Sequence, residues 1–249
     1  MAHTRITEPE GGKVSFYAAV VASISLSIMS GLTTLVGLWE ANSAVARDEA
    51  GQPALVSGEW SDDFHHCAHV IATHEYDNYY ADYVGHSVEQ MAKCLATGFV
   101  FQGEYSEHRG HEVGENSAHL PPTAFVNFIQ NHDQIGNRAQ GDRLSTLIPY
   151  KAQQVIAASV LLSPFIPLLF MGEEYGERSP FQYFIDHGDA HLIEAVRKGR
   201  LAEFKPFGWK NIPDPYAITT FEHSRLTPLE ARDDTQQRMA AWTKQLIAL

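Results

Sequence analysis

Five polar side chains of different chemical kinds stand close together between positions 131 and 138 of the sequence. Asn131 and Gln134 supply amides, His132 an imidazole, Asp133 a carboxylate and Arg138 a guanidinium. Together these groups could bind a polar ligand by hydrogen bonds and act on it through the carboxylate. The segment therefore predicts a functional site, and the alternative is a polar loop that caps a buried strand.

The residues just before this cluster are expected to position it. Phe125, Val126, Phe128 and Ile129 are apolar and suit a buried strand, and Pro121 and Pro122 disfavour a helix immediately before them. Gly136 offers a backbone position free of the limits that a Cβ imposes, so the chain can turn out of the site. A strand that ends in polar groups is typical of a site at the carboxyl end of a barrel or sheet.

A helix and a second strand are predicted after the cluster. The apolar pattern predicts a helix over 151–163 and a buried strand over 166–171, which Glu173 and Glu174 follow closely. A strand, a helix and a strand in this order form a βαβ unit with parallel strands. Because ligands bind at the carboxyl ends of such strands, Asp133 and one of the two glutamates are expected at one site.

A histidine-rich helix is predicted earlier in the chain. Ser61 or Asp62 can cap a helix that continues to about residue 71, and His65 and His69 lie on one face of it. Two histidines four residues apart can bind a metal ion. The sequence has no HExxH motif, so neither a metal site nor a cofactor is predicted.

Four tyrosines and two aspartates lie between positions 76 and 83. Aromatic rings beside carboxylates suit a carbohydrate, because sugar rings have apolar faces and hydroxyl rims; the alternative is a surface loop that is fixed by its rings. Further along, Ser87 and Gln90 predict a capped helix that ends at Gly98. Residues 103–120 are expected to form a long loop, and additional helices are predicted over 187–204 and 230–249.

The composition is that of a globular protein with a sizeable core. The chain has 249 residues, of which 44% are hydrophobic and 11% aromatic. Its net charge of -12 disfavours nucleic acid as a partner, because no basic surface is available to neutralise phosphates. Cys67 and Cys94 have no CxxC spacing and are expected to be buried thiols.

An apolar segment lies near the amino end. Residues 14–39 form a run of 26 residues without a charge. Its length favours a membrane-spanning helix or an export signal, and Arg5 and Lys13 before it would place the amino end in the cytoplasm. Its Ser, Thr and Gly content favours a buried core segment instead. Residues 1–47 are expected to be a leader, and residues 48–249 a domain.

Four further motifs follow one another along the chain, namely WSDDFHH at 60–66, GFVFQGEYS at 98–106, QNHDQIGNR at 130–138 and LFMGEEYG at 169–176. In this order they resemble the motifs of the maltooligosyltrehalose trehalohydrolase family, which belongs to the α-amylase superfamily of glycoside hydrolases (family 13). The resemblance covers roughly residues 48–249. The four motifs together are specific, whereas His132-Asp133 alone would indicate only an α-amylase-like protein.

The resemblance implies an α/β fold, namely part of a (β/α)8 TIM barrel that includes about strands six to eight and their helices. It implies hydrolysis of the α-1,4 bond next to a terminal trehalose unit in maltooligosyltrehalose, with retention of configuration, and a cytoplasmic location. Retention needs a nucleophile and an acid close together. Asp133 would be a third, catalytic carboxylate, and His132 would contact the same sugar. The motifs also supply candidate substrate-binding residues: Trp60, Asp63, His65, Asn131, Gln134, Arg138 and Glu173.

The sequence departs from the family before the first motif. The family's nucleophile and acid lie on barrel strands four and five, and residues 1–39 contain no Asp. Glu40 aligns just past the acid rather than with it. The chain is therefore expected to be a fragment that is inactive alone. Two smaller departures are His74 and Asn78, where the family pattern has glycines.

The sequence also leaves two other functions open. A membrane-tethered or exported remnant could bind carbohydrate through Tyr79, Tyr80, His132 and Asp133 without cleaving it. A fragment of a glucan branching or debranching enzyme is disfavoured by the motifs at 62–66 and 134–138. For each of these functions, the expected binding partner is maltooligosyltrehalose or a related α-glucan.

Overall fold

A computed structural model describes residues 47–52, 57–204 and 211–249 of the chain. Its strands in chain order are β1 (Glu59–Trp60), β2 (Glu104–Ser106), β3 (His111–Val113), β4 (Phe125–Asn127) and β5 (Ile166–Pro167). Its α-helices are α1 (Asp62–Thr73), α2 (Ser87–Thr97), α3 (His132–Gly136), α4 (Leu144–Leu147), α5 (Tyr150–Leu161), α6 (Ala190–Phe204), α7 (Ile218–His223) and α8 (Asp234–Ile247). Short 3-10 helices lie at Asn78–Tyr83, Pro122–Ala124, Glu173–Tyr175 and Leu229–Ala231.

Three strands form a parallel sheet in the order β1-β4-β5. Trp60 pairs with Val126, and Asn127 pairs with Pro167. The ladder extends past the strands, because the backbone N–H of Ser61 donates to the carbonyl of Val126 at 3.0 Å. The predicted βαβ unit is confirmed, with α5 connecting two parallel strands. All three strands therefore point their carboxyl ends to the same edge.

The main apolar core lies between α1, α2 and the loops that follow β4. Phe64, Cys67 and Cys94 are fully buried in it, and Ile129 and Val160 join them from the β4 and α5 side. Both cysteines are free and buried, which confirms the prediction that they are buried thiols. The core holds α1 next to the carboxyl ends of β1 and β4. The polar cluster at 131–138 begins after the carboxyl end of β4.

The predicted strands are shorter in the structure than the sequence indicates. The apolar run 125–129 pairs only over Phe125–Asn127, although Phe128 and Ile129 are buried as expected. The strand expected to be buried over 166–171 is wrong in length and burial: it pairs at Ile166–Pro167, and both residues are exposed. Among the described residues β5 is also an edge strand, so its backbone pairs with another strand on one side only.

Neither of the two predicted helix caps forms its side-chain hydrogen bond. Ser61 is the N-cap residue of α1 as predicted, but its hydroxyl donates to the carbonyl of Gly98 at 2.8 Å and makes no cap bond. Helix α2 begins at Ser87, with His86 in the cap position, and the amide of Gln90 donates instead to the carbonyl of Asp82. In both cases the side chain that was expected to cap the helix makes a hydrogen bond to a residue outside that helix end.

Gly98 ends α2 as predicted, and the structure shows why this position needs glycine. Its φ is +92°, and a Cβ there would lie 2.2 Å from the ring of Phe125. The close approach fastens the end of α2 against β4. By contrast, Gly136 closes α3 within ordinary helical geometry, so the sharp turn expected at that position is not formed.

The region 103–120 is not the loop that its composition predicts. Strands β2 and β3 pair as an antiparallel hairpin in which Tyr105 lies opposite Glu112 and Ser106 opposite His111. The predicted helices after it are confirmed with shorter bounds, as α5, α6 and α8. Residues 14–39 lie outside the described part, and no helix in the described part is long and apolar enough to cross a membrane.

Candidate active site

His132 and Asp133 begin α3, directly after the carboxyl end of β4. His132 Nε2 lies 3.2 Å from an oxygen of Asp133, and the two side chains are 25% and 44% exposed. The indole of Trp60, at the end of β1, packs edge-on against the His132 ring with 5.8 Å between ring centroids. An accessible carboxylate, an imidazole and an aromatic ring thus share one surface, which is suited to a sugar with hydroxyl edges and an apolar face.

Asn131 and Gln134 hold this pair in place by capping α3. Asn131 Oδ1 accepts from the backbone N–H groups of Asp133 at 2.8 Å and Gln134 at 3.3 Å. Gln134 Oε1 accepts in return from the N–H of Asn131 at 2.9 Å, which completes a capping box. The oxygens of both predicted substrate-binding amides are therefore engaged in positioning His132 and Asp133.

Asp62 stands beside this pair and was considered from the sequence only as a possible helix cap. Gln134 Nε2 donates to Asp62 Oδ1 at 3.0 Å. Burial raises the pKa of Asp62 to about 7, and the neighbouring carboxylates of Asp63 and Asp133 add to the rise. A carboxyl that titrates near neutrality next to a second carboxylate is a frequent feature of functional sites. The sequence signal was the Asp62-Asp63 pair directly after a strand.

Asp63 is held by the protein on both of its oxygens. Oδ1 accepts from the hydroxyl of Tyr83, and Oδ2 accepts from the backbone N–H groups of Val100 at 2.7 Å and Phe101 at 3.2 Å. Burial raises the pKa of Asp63, and these hydrogen bonds oppose the rise. The structure therefore places Asp63 between α1 and the loop after α2, where it ties the two together.

His65 is buried in the core below the site. Its Nδ1 contacts the carbonyl of Ile129, and its Nε2 lies 2.9 Å from the hydroxyl of Tyr80. Burial lowers its pKa well below the ordinary value, so the ring is neutral. His69 stacks on Tyr80 with 4.4 Å between ring centroids. Among the described residues, no group of three or more potential ligands is arranged to hold a metal ion.

Arg138 connects the end of the site helix to the end of α1. Its guanidinium makes two hydrogen bonds to Glu75, of 2.7 and 3.0 Å, and Glu75 also accepts from His69 Nε2 at 2.8 Å. The His69 hydrogen bond, followed by Arg138, holds the pKa of Glu75 at about 2 against the effect of burial. This bidentate pair fixes the orientation of α3 relative to α1.

Glu173 follows β5 and makes a side-chain hydrogen bond with Gln130, in the motif that carries His132 and Asp133. It lines a small interior cavity together with Gln130 and Arg143, and none of the other predicted site residues lines that cavity among the described residues. Its carboxylate accepts from the N–H of Phe170 at 3.2 Å, and burial raises its pKa to about 8. That Asp133 and one of the two glutamates share a site stays a prediction.

His74 and Asn78 have backbone angles that glycine adopts most readily. Their φ angles are 58° and 59°, in the left-handed region. They lie on either side of the segment that carries Glu75 and Tyr76. The positions where the resembling family has glycines thus keep the glycine-type backbone, although their side chains differ.

Curated proteins of one name are similar to this chain. No protein-family model matches the chain. Malto-oligosyltrehalose trehalohydrolase of Rhizobium sp. (strain M-11) is 43% identical over 198 residues, which are 78% of this chain and 33% of that protein. Malto-oligosyltrehalose trehalohydrolase of Saccharolobus solfataricus is 41% identical over 172 residues, or 69% of this chain and 29% of that protein.

A solved structure shows the same relationship. The crystal structure of a putative alpha amylase from Salmonella typhimurium superposes with a TM-score of 0.79 at 47% identity, covering 83% of this chain and 35% of that one. The mixed α/β content and this neighbour fit part of a TIM barrel. The chain spans about a third of the length of the curated relatives it matches. Over most of its own length, this chain is homologous to the malto-oligosyltrehalose trehalohydrolases, glycoside hydrolases related to the α-amylases.

Proposed function

We propose that residues 48–249 form the part of a trehalose-releasing glycoside hydrolase that contributes strands six to eight of the barrel. The observation that carries the proposal is the Asp133–His132 pair beside Trp60, at the carboxyl ends of two parallel strands. That is the end of a barrel where substrates bind. The similarity to enzymes named for hydrolysing malto-oligosyltrehalose supports this substrate.

In this proposal, Asp133 is a catalytic carboxylate that acts on the sugar ring at the scissile bond. Its exposed oxygens accept hydrogen bonds from ring hydroxyls, and these bonds strengthen as positive charge develops on the ring in the transition state. His132 contacts the same sugar and lies close enough to orient the carboxylate. Asn131, Gln134 and Arg138 act indirectly, through the contacts that hold α3.

The nucleophile and the general acid are expected to come from outside residues 48–249. Asp62, Asp63 and Glu173 have no place in the family's acid and nucleophile positions, and Asp63 is occupied by three donors from the protein. The chain alone should therefore bind its substrate and leave it intact. The location that the resemblance implies is the cytoplasm. The alternative of a tethered remnant that only binds sugar rests on residues 14–39, outside the described part.

Two measurements on the 249-residue chain test the proposal. Saturation-transfer NMR with malto-oligosyltrehalose should show saturable binding, and Asp133→Asn should weaken the affinity about tenfold, because a charged hydrogen-bond acceptor is lost. Asp234→Asn, at an exposed position at the start of α8, is the matched control and should leave affinity unchanged. Trehalose release should be absent. No binding by the wild-type chain would refute the proposed substrate.

A further inference from the structure

The backbone that leads from β4 into α3 is held by side chains on two sides. Gln130, the last residue before the cap of α3, is buried, although glutamine side chains are mostly exposed in proteins. Its Oε1 accepts from the backbone N–H of Leu144, the first residue of α4, at 2.6 Å. The carbonyl of Ile129, directly before it, contacts Nδ1 of His65 on α1. The entry to α3 is therefore attached to both α1 and α4.

Glu173 makes a further attachment to Gln130. The two side chains are hydrogen-bonded. Glu173 is itself fixed to the backbone of Phe170: its Oε2 accepts from the Phe170 N–H at 3.2 Å, and its own N–H donates to the Phe170 carbonyl at 2.8 Å. The hydrogen bond between Gln130 and Glu173 therefore links the segment after β5 to the segment after β4.

Arg143 holds the segment around Glu173 from the side of α4. Its side chain is 1% exposed, and it directly precedes that helix. Its Nη1 donates to the carbonyl of Met171 at 2.8 Å, and its Nε donates to the carbonyl of Ser179 at 2.7 Å. The start of α4 and the segment after β5 are thus one hydrogen-bonded unit. Both hydrogen-bonding contacts of the Gln130 side chain are to this unit.

The surroundings of Glu173 favour its neutral form. Burial raises its pKa to about 8, while the N–H of Phe170 and the positive charge of Arg143 oppose the rise. Glu177 lines the same cavity, but its carboxylate is engaged by hydroxyl and backbone donors. Among the described residues, α5 and α8 contribute only uncharged side chains to this cavity. At neutral pH, glutamine therefore resembles the Glu173 side chain in both shape and charge.

We propose that Glu173 and Gln130 are positioning residues for the carboxylate of Asp133. Gln130 directly precedes Asn131, which caps α3 and holds the start of the helix that carries Asp133. A contact that fixes Gln130 therefore fixes the backbone from which the cap is made. Glu173 acts by holding Gln130, without touching the sugar. This inference rests on the proposed function, in which Asp133 acts on the bound sugar.

Variants of the full chain that keep the side-chain volume test this link. Glu173→Met should weaken the binding of malto-oligosyltrehalose about fivefold in saturation-transfer NMR at pH 7, the effect of about one hydrogen bond. Gln130→Met should weaken it at least as much, since it also loses the bond to Leu144. The double variant should bind like Gln130→Met, because both changes break the same link. Glu173→Gln should bind like the wild type. Glu222→Met, at an exposed position on α7, is the matched control.

An NMR signal of His132, measured without sugar, separates positioning from direct contact. The ring Cε1–H resonance, identified by its loss in His132→Gln, should shift in Glu173→Met. It should keep its wild-type position in Glu173→Gln and Glu222→Met. Circular dichroism checks that each variant is folded. If Glu173→Met does not fold, Glu173→Asp, which is one methylene shorter, should move the resonance and the affinity in the same direction by smaller amounts.

Each outcome decides between the two proposals. Weaker binding by Glu173→Met with an unshifted His132 resonance would show that Glu173 contacts the sugar directly, which refutes positioning and leaves the proposed function standing. A double variant that binds more weakly than Gln130→Met, or a Glu173→Gln variant that behaves like Glu173→Met, would also refute positioning. Absence of binding by the wild-type chain would refute the proposed function, and the His132 resonance would still decide whether Glu173 positions α3.

Discussion

At the scale of single residues, hydrogen bonding separates the side chains that can meet a ligand from those that hold the site together. Asp133, His132 and Trp60 are partly exposed and share one surface. Asp63 and His65, which belong to the same motifs, are engaged by the protein and lie beneath that surface. The motifs therefore identify the candidate site as a whole. Hydrogen bonding and exposure then separate the residues that can contact a ligand from those that support them.

Asp62 makes a first prediction about pH. Its folded pKa of about 7 lies above the ordinary value of 3.8. The unfolded chain therefore gives up this proton more readily, and ionisation of Asp62 destabilises the fold as pH rises from about 4 to 7. Asp62→Asn should raise the free energy of unfolding at pH 8 by at least about 1 kcal/mol and change it little at pH 4.

Urea denaturation at both pH values checks this prediction. Asp186→Asn removes an exposed carboxylate and serves as the control, with no pH-dependent difference expected. If Asp62→Asn destabilises the protein at pH 8 as much as at pH 4, the carboxylate is not strained by burial, and the account of Asp62 as a site residue loses its electrostatic support.

His74 makes a second prediction, about backbone conformation. A non-glycine residue in the left-handed region is strained, and His74 has φ 58° and ψ 29°. His74→Gly should raise the free energy of unfolding by about 1 kcal/mol, because glycine adopts this conformation without a Cβ clash. His74→Ala, which keeps the clash, is the control. A loss of stability in His74→Gly, measured by thermal unfolding, would contradict the argument.

At the scale of elements, the site depends on a helix of five residues, α3. A helix this short has little stability of its own, so its cap and its tertiary contacts must hold it. The capping box of Asn131 and Gln134 fixes its start, and the Arg138 pair with Glu75 fixes the segment after its end. The position of Asp133 therefore follows from these two attachments.

This dependence gives a third prediction. Asn131→Ala removes the cap and should lower the free energy of unfolding by about 1 kcal/mol. It should also weaken sugar binding, because His132 and Asp133 are no longer held at the start of the helix. Asn131→Ser keeps a capping oxygen and should retain most of both properties. If Asn131→Ala binds sugar as tightly as the wild type, α3 does not need its cap.

Long, strongly periodic elements could be predicted from the sequence, and short ones could not. Helices α1, α2, α5, α6 and α8 were found with bounds within a few residues. Apolar faces indicated α5 and α8, and capping or stop residues indicated α1 and α2. Helix α3 and the β2–β3 hairpin were missed, since each is too short to show a period.

At the scale of the whole molecule, the described sheet has two open edges. Strands β1 and β5 each pair on one side only among the described residues. Three apolar side chains between the start of α5 and β5 are exposed: Val155 by 69%, Leu162 by 56% and Ile166 by 43%. Open strand edges and exposed apolar surface favour association with other chains.

The fourth prediction follows from these edges. The 249-residue chain, purified by itself, should self-associate and unfold over a broad temperature range. Val155→Lys and Leu162→Lys together should reduce self-association, because charged side chains blunt an apolar surface. Light scattering and calorimetry would measure both effects. A monomeric wild-type sample with a sharp cooperative transition would show that the edges are protected.

The most direct test of the central claim replaces the matching third of a known enzyme with residues 48–249 of this chain. In the malto-oligosyltrehalose trehalohydrolase of Rhizobium sp. (strain M-11), the replacement should preserve trehalose release. Asp133→Asn in that chimera should lower kcat by about a hundredfold or more, and Asp234→Asn should leave it unchanged. A folded chimera that releases no trehalose, or one whose turnover is unaffected by Asp133→Asn, would contradict the account.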